Sequence, residues 1–167
     1  MRDAGRIAAA IEVLDTVMNR HQPVKDALRD WGKANRYAGS GDRAWISGLV
    51  LDALRRRASL TLLMGADSPR ALVLGTLAHS WEMNADSVAA IFEGDEHAPD
   101  PLTDAEHAGM AATLPDDAPL HARAEIPEWL SESFERGFGD DAALEGAAMA
   151  DRAPVDLRVN TLKTDPE

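Results

Sequence analysis

Apolar residues recur three and four positions apart in one short segment after another, and glycines, prolines or capping side chains punctuate the segments. That period commits a chain to packed helices, because only a helix brings residues so spaced onto one face. Ile7, Ile11, Leu14 and Met18 form the first stripe, with Ala8, Ala9 and Ala10 adding helix propensity and Asp3 placed as N-cap. Pro23 opens a second helix that runs through Ala27, Leu28 and Trp31 to Gly32. Tyr37 to Gly41 reads as a loop. Ile46, Leu49, Val50, Ala53 and Leu54 make the clearest stripe, with Asp42, Arg43 and Asp52 on its polar side and Arg55, Arg56 and Arg57 at its end. A short helical piece follows to Gly65. Ser68 and Pro69 then announce a helix whose Leu72, Val73, Leu74, Leu77 and Trp81 leave little polar face, so it belongs at the centre. Asn84 or Asp86 caps a helix to Phe92, and Thr103 to Glu106 reads as a capping box for one reaching about Leu114.

Beyond this all-α bundle of six or seven helices the character of the chain changes. Asp116, Asp117 and Pro119 form a linker. Pro127 starts a helix with Phe134 and Phe138 on one side, Gly139 breaks it, and another runs from about Asp141 to Met149. Val155, Leu157 and Val159 then alternate with Asp156, Arg158 and Asn160, the one good strand signal in the sequence. A lone strand cannot pair with itself, so the expectation is a truncated chain whose partner strands lie downstream. The division expected is a helical domain over 1–118 and, over 119–167, linker helices with the first strand of an α/β module.

Cysteine is absent, which removes disulfides, thiolate metal sites and a cysteine nucleophile. No run of 18 apolar residues offers a membrane span, and the first residues lack the pattern of a secretory signal, so the expected location is cytoplasmic. The net charge of −12 conceals an asymmetry. Residues 1–70 hold 12 Lys and Arg against 8 Asp and Glu, a surplus of +4; residues 71–167 hold 5 against 21, a deficit of −16. A polyanionic partner meets the first part, not the second.

Arg36, Arg43, Arg55, Arg56 and Arg57 are therefore the candidate RNA contacts, since guanidinium groups bind phosphate through paired hydrogen bonds and stack on bases. The competing assignment is a solvated face with helix-dipole complementation. Tyr37, in the loop, is the candidate for stacking an unpaired base. Trp31 and Trp45 are expected in the core, and Trp81 and Trp129 in structural roles. His97 and His107 lie among Asp95, Asp100, Asp104 and Glu106, but their spacing fits no metal motif, and no metal site is expected. His79, on the central helix, reads as a satisfied core histidine.

Two stretches carry a resemblance. Gly41-Asp42-Arg43, followed by Leu49 to Arg57, resembles the third-helix signature of NusB-like domains. Ile126-Pro127-Glu128-Trp129-Leu130, then Phe138-Gly139-Asp140, then Ala153 to Lys163, resembles the join between the two domains of the RsmB (Fmu/Sun) family of small-subunit ribosomal RNA cytosine-5 methyltransferases. The resemblance implies a NusB-like RNA-binding domain that docks ribosomal RNA for a catalytic module. That module transfers methyl from S-adenosylmethionine and uses cysteines this chain lacks. No catalytic or cofactor-binding residue is carried over, and the chain by itself is expected to be inactive, without bound cofactor. Its expected partners are small-subunit ribosomal RNA and its own downstream catalytic domain, with no membrane. The rival assignments are a NusB-type transcription antitermination factor that binds RNA with a ribosomal protein, and a helical protein–protein module favoured by the acidity.

Overall fold

The computed structural model describes residues 1–155, 158–160 and 162–163. Seven helices build the body: α1 (Asp3–Asn19), α2 (Val24–Ala34), α3 (Ser40–Arg55), α4 (Arg57–Met64), α5 (Pro69–His79), α6 (Ala85–Phe92) and α7 (Asp104–Ala111). Three more follow, α8 (Leu120–Arg123), α9 (Ser131–Phe138) and α10 (Ala142–Ala150), with single 3₁₀ turns at Glu128–Leu130 and Gly139–Asp141. The expected all-α class is what the structure shows.

Local chemistry sets most boundaries. Ser68 Oγ accepts from the Ala71 amide and Pro69 occupies the first turn of α5. Asn84 Oδ1 accepts from the Ser87 amide and caps α6. Thr103 and Glu106 form the reciprocal capping box of α7. α4 ends at Gly65, whose φ of 66° is a left-handed conformation that glycine adopts without strain. Two starts differ from expectation. Arg2 holds the cap position of α1, and Asp3 is the first helical residue, paired with Arg6 at 2.8 Å. Pro23 caps α2, which continues past Gly32 to Ala34.

α5 is the central helix, as its nearly unbroken apolar surface requires. It packs against α1, α3, α4 and α7, and Leu72, Leu74 and Leu77 are fully buried. Ile7 and Leu14 of α1, Ile46 and Leu49 of α3 and Leu60 of α4 close the core around it. Each such side chain contributes roughly 1.5–3 kcal/mol through burial. Trp31 is buried and Trp45 half-buried, as expected; Trp45 meets Trp81 edge to face at 4.9 Å. Trp129 corrects the structural role expected of it: it is 78% exposed, on a 3₁₀ turn that buries nothing. The strand signal at Val155 to Lys163 is not met by a strand among the described residues. Asp156, Leu157 and Thr161 of that stretch lie outside them.

α8 packs on α4, and α10 packs on α8, so these two helices lean on the body. The approach of α10 is close. A Cβ added at Gly146 would lie 2.5 Å from the Ala124 carbonyl oxygen and 2.6 Å from its Cβ. Gly146→Ala is therefore expected to destabilise the protein by about 1–3 kcal/mol through overpacking, outweighing a helix-propensity gain of about 1 kcal/mol. Amide hydrogen exchange resolves the effect, with protection falling in α10 and staying intact in α5.

Candidate nucleic-acid interface

α3 begins and ends on a covered carboxylate. Asp42, expected on the polar side, is buried at the start. Its Oδ1 accepts from Arg6 Nε at 2.8 Å and from the Met1 ammonium at 3.2 Å, and its Oδ2 accepts from the Gly39 amide at 3.0 Å. The Arg6 hydrogen bond, then those from Gly39 and the Met1 ammonium, hold the Asp42 carboxyl at a pKa of about 2. Asp52, also expected on the polar side, is buried near the other end. It accepts from Arg152 Nε at 3.0 Å, from Trp81 Nε1 at 3.0 Å and from Arg55 Nη1 at 3.1 Å. Burial alone would push Asp52 up, but the Arg152 and Trp81 hydrogen bonds outweigh it and hold the carboxyl below the usual range. Both acids turned inward because donors converge on them, and a carboxylate leaves water only when so satisfied.

The six candidate residues fall into two groups. Arg55, Arg56 and Arg57 face acids of their own chain. Arg55 pairs with Asp52. Arg56 pairs with Asp151 at 2.6 Å and lies 3.8 Å from Glu125. Arg57 grips both oxygens of Asp67, at 2.8 and 2.7 Å. Of the six candidates, these three arginines are thus occupied with internal pairing. Arg43 stands about 18 Å from Arg55 along the helix, at about 1.5 Å per residue.

Arg36, Tyr37 and Arg43 form the other group, where the α2–α3 loop meets the first turn of α3. Arg36 is exposed, and Tyr37 is 71% exposed. Arg43 Nε donates to the Ala38 carbonyl at 3.0 Å, and its guanidinium lies beside Gly32 of α2. This tether presets the side chain while leaving it without a carboxylate partner. Among the described residues, Arg20, Arg36 and Arg43 are the arginines of the first 70 positions that no acid neutralises. Arg36 and Arg43 can therefore donate to a phosphate oxygen without first breaking an ion pair.

Sequence reasoning missed the clasp that holds the last helices. Besides Arg152 on Asp52 and Asp151 on Arg56, Glu125 reaches back to the start of α4. Its carboxylate accepts from the Ser59 amide at 3.2 Å and from the Ser59 hydroxyl. Glu125 adopts a φ of 54°, a left-handed conformation that costs a residue with a Cβ about 1–2 kcal/mol. Burial pushes the Glu125 carboxyl up, against the opposing pull of Ser59 and Arg56. Nothing in the sequence signals a cap supplied from 66 positions away.

His79 is half-buried, and its Nε2 lies 3.0 Å from the Gly109 carbonyl oxygen. Among the described residues no group of three or more His, Asp or Glu is placed to hold a metal ion, and no helix is long and apolar enough to cross a membrane. Comparison with protein-family models, with curated proteins and with solved structures found no match to this chain.

Asp42 and Glu125 set opposite pH dependences. Asp42 is depressed, so its contribution is present above the ordinary aspartate range and is lost as pH falls towards 2. Chemical denaturation of Asp42→Asn should show lower stability than wild type at pH 5 and a difference that shrinks towards pH 2. Glu125 is raised, so its contribution is complete below the ordinary glutamate range and is lost as pH rises through the folded value. The exchange protection factor of the Ser59 amide should fall over that rise in wild type and stay level in Glu125→Gln.

Proposed function

We propose that this chain is the NusB-like, RNA-contacting region of an S-adenosylmethionine-dependent ribosomal RNA cytosine-5 methyltransferase of the RsmB (Fmu/Sun) family. In it Arg36, Tyr37 and Arg43 contact single-stranded small-subunit ribosomal RNA. The observation that carries the proposal is the placement of two arginines without acid partners beside an exposed tyrosine, in a chain whose net charge is otherwise strongly negative. Guanidinium groups left unpaired keep their full hydrogen-bonding capacity for phosphate, and an exposed aromatic ring offers a face to an unstacked base. The strongly acidic second half repels the same polyanion and so confines the contact to this corner.

The methyl transfer belongs to a separate α/β module in this proposal. A cysteine thiolate must attack the cytosine ring in that chemistry, and this chain has no cysteine. S-adenosylmethionine is likewise a ligand of that module. The pairs Arg56–Asp151 and Asp52–Arg152 hold the chain against α3 where it leaves α10, which gives the catalytic module a defined starting direction. The cytoplasm is where such an enzyme meets its substrate.

Filter binding of a single-stranded fragment of small-subunit ribosomal RNA at two salt concentrations tests the proposal. Arg36→Glu and Arg43→Gln should each weaken binding and reduce the slope of log K against log salt by about 1. Arg57→Glu, which breaks the pair with Asp67, should lower stability and leave that slope unchanged. No measurable binding by the wild-type chain at low salt overturns the proposal in favour of a protein-interaction role.

A further inference from the structure

A groove of about 670 Å³ lies between α1 and the α2–α3 loop, and Tyr37 stands on its wall. Gly5, Ala8 and Ala9 of α1 line it with little more than backbone and methyl groups, beside Trp31 and Tyr37. At the Gly5 end it narrows: a Cβ there would lie 3.5 Å from Met1 Cε and 3.9 Å from His97 Cβ. Glu12 is the polar group one to two turns further along α1. Its Oε2 accepts from Trp31 Nε1 at 3.1 Å, which orients the carboxylate. Its Oε1 has no hydrogen-bond donor among the described residues.

We propose that this groove is a pocket for one unpaired, amino-bearing nucleobase: cytosine, adenine or guanine. The proposal rests on the RNA-contacting function argued above and deepens it. The low floor admits a flat ring, and Tyr37 supplies the stacking face. Glu12 Oε1 accepts a hydrogen bond from the exocyclic amine, which uracil lacks. Trp31 fixes the carboxylate, so that hydrogen bond forms without further loss of side-chain freedom. Arg36, adjacent in sequence to Tyr37, carries the phosphate contact proposed above. Of the acids lining the groove, Asp95 is paired with Arg2 at 3.7 Å. Glu12 and the well-exposed Glu96 are the lining acids without an arginine partner among the described residues.

Titrating the ¹⁵N-labelled chain with cytidine, adenosine or uridine and following amide shifts separates the pocket from the phosphate contact. Cytidine and adenosine should shift the Gly5, Ala8 and Ala9 amides and bind several-fold more tightly than uridine. Glu12→Gln should remove that preference. Tyr37→Ala should weaken nucleoside binding about tenfold while Tyr37→Phe retains it. Ala8→Leu, whose added bulk fills the groove, should abolish the shifts, with its otherwise unchanged spectrum reporting an intact fold. In the RNA titration Ala8→Leu should weaken binding without altering the salt slope. If no nucleoside moves these amides, or if uridine matches cytidine in wild type, the pocket is overturned. An RNA fragment that still binds with the slope set by Arg36 and Arg43 then leaves the phosphate contact standing. Absence of both nucleoside shifts and RNA binding overturns the two together.

Discussion

A carboxylate taken out of water must be surrounded by donors, and this requirement at the two ends of α3 organises the molecule. Asp42 gathers Arg6, the Gly39 amide and the Met1 ammonium; Asp52 gathers Arg55, Arg152 and Trp81. Removing one donor from such a set costs far more than a surface pair is worth, because the remaining charge stays covered. The first cluster ties the start of α1 to the start of α3. The second ties the end of α5 and the residues after α10 to the end of α3. Between them the apolar stripe of α3 is held in register against α1 and α5.

That use of charge changes the meaning of the composition. A surplus of +4 over the first 70 residues suggests a basic face, yet most of its arginines are spent on acids within the chain. What stays without an acid partner among the described residues is the remainder, Arg20, Arg36 and Arg43. Arg36 and Arg43 owe their availability to position: one lies in a loop, and the other is tethered through Nε to a carbonyl instead of a carboxylate. A count of charges reports the sum, whereas a polyanion meets only those charges that have no nearer partner.

The helical body was legible because each of its signals is local. Ser68 with Pro69, Asn84, and Thr103 with Glu106 act within one turn, and the stripes of α3 and α5 follow from spacing alone. The candidate site was legible in part. Tyr37 is exposed, as a loop position between two helices allows, but Arg55, Arg56 and Arg57 look the same in sequence whether an acid stands opposite or not. Asp67 is ten positions from Arg57, and Asp151 is 95 from Arg56. The same blindness covers Glu125 on Ser59 and the groove beside Tyr37, whose parts come from α1, α2 and the loops after α2 and α6. Trp129 shows the converse error, since a large aromatic side chain favours burial but needs a neighbour to bury it.

By itself, then, the order of residues determined where helices start and stop, which of their faces are apolar, that α5 lies at the centre, and that no thiol chemistry is available. These follow from interactions spanning about four residues and from composition. Only the tertiary structure decided which charges survive as free charges, how closely α10 approaches α8 across Gly146, and which separate side chains share a groove. Those outcomes depend on contacts between distant segments, and nothing in the spacing of residues along the chain encodes the distance between two of them once it is folded.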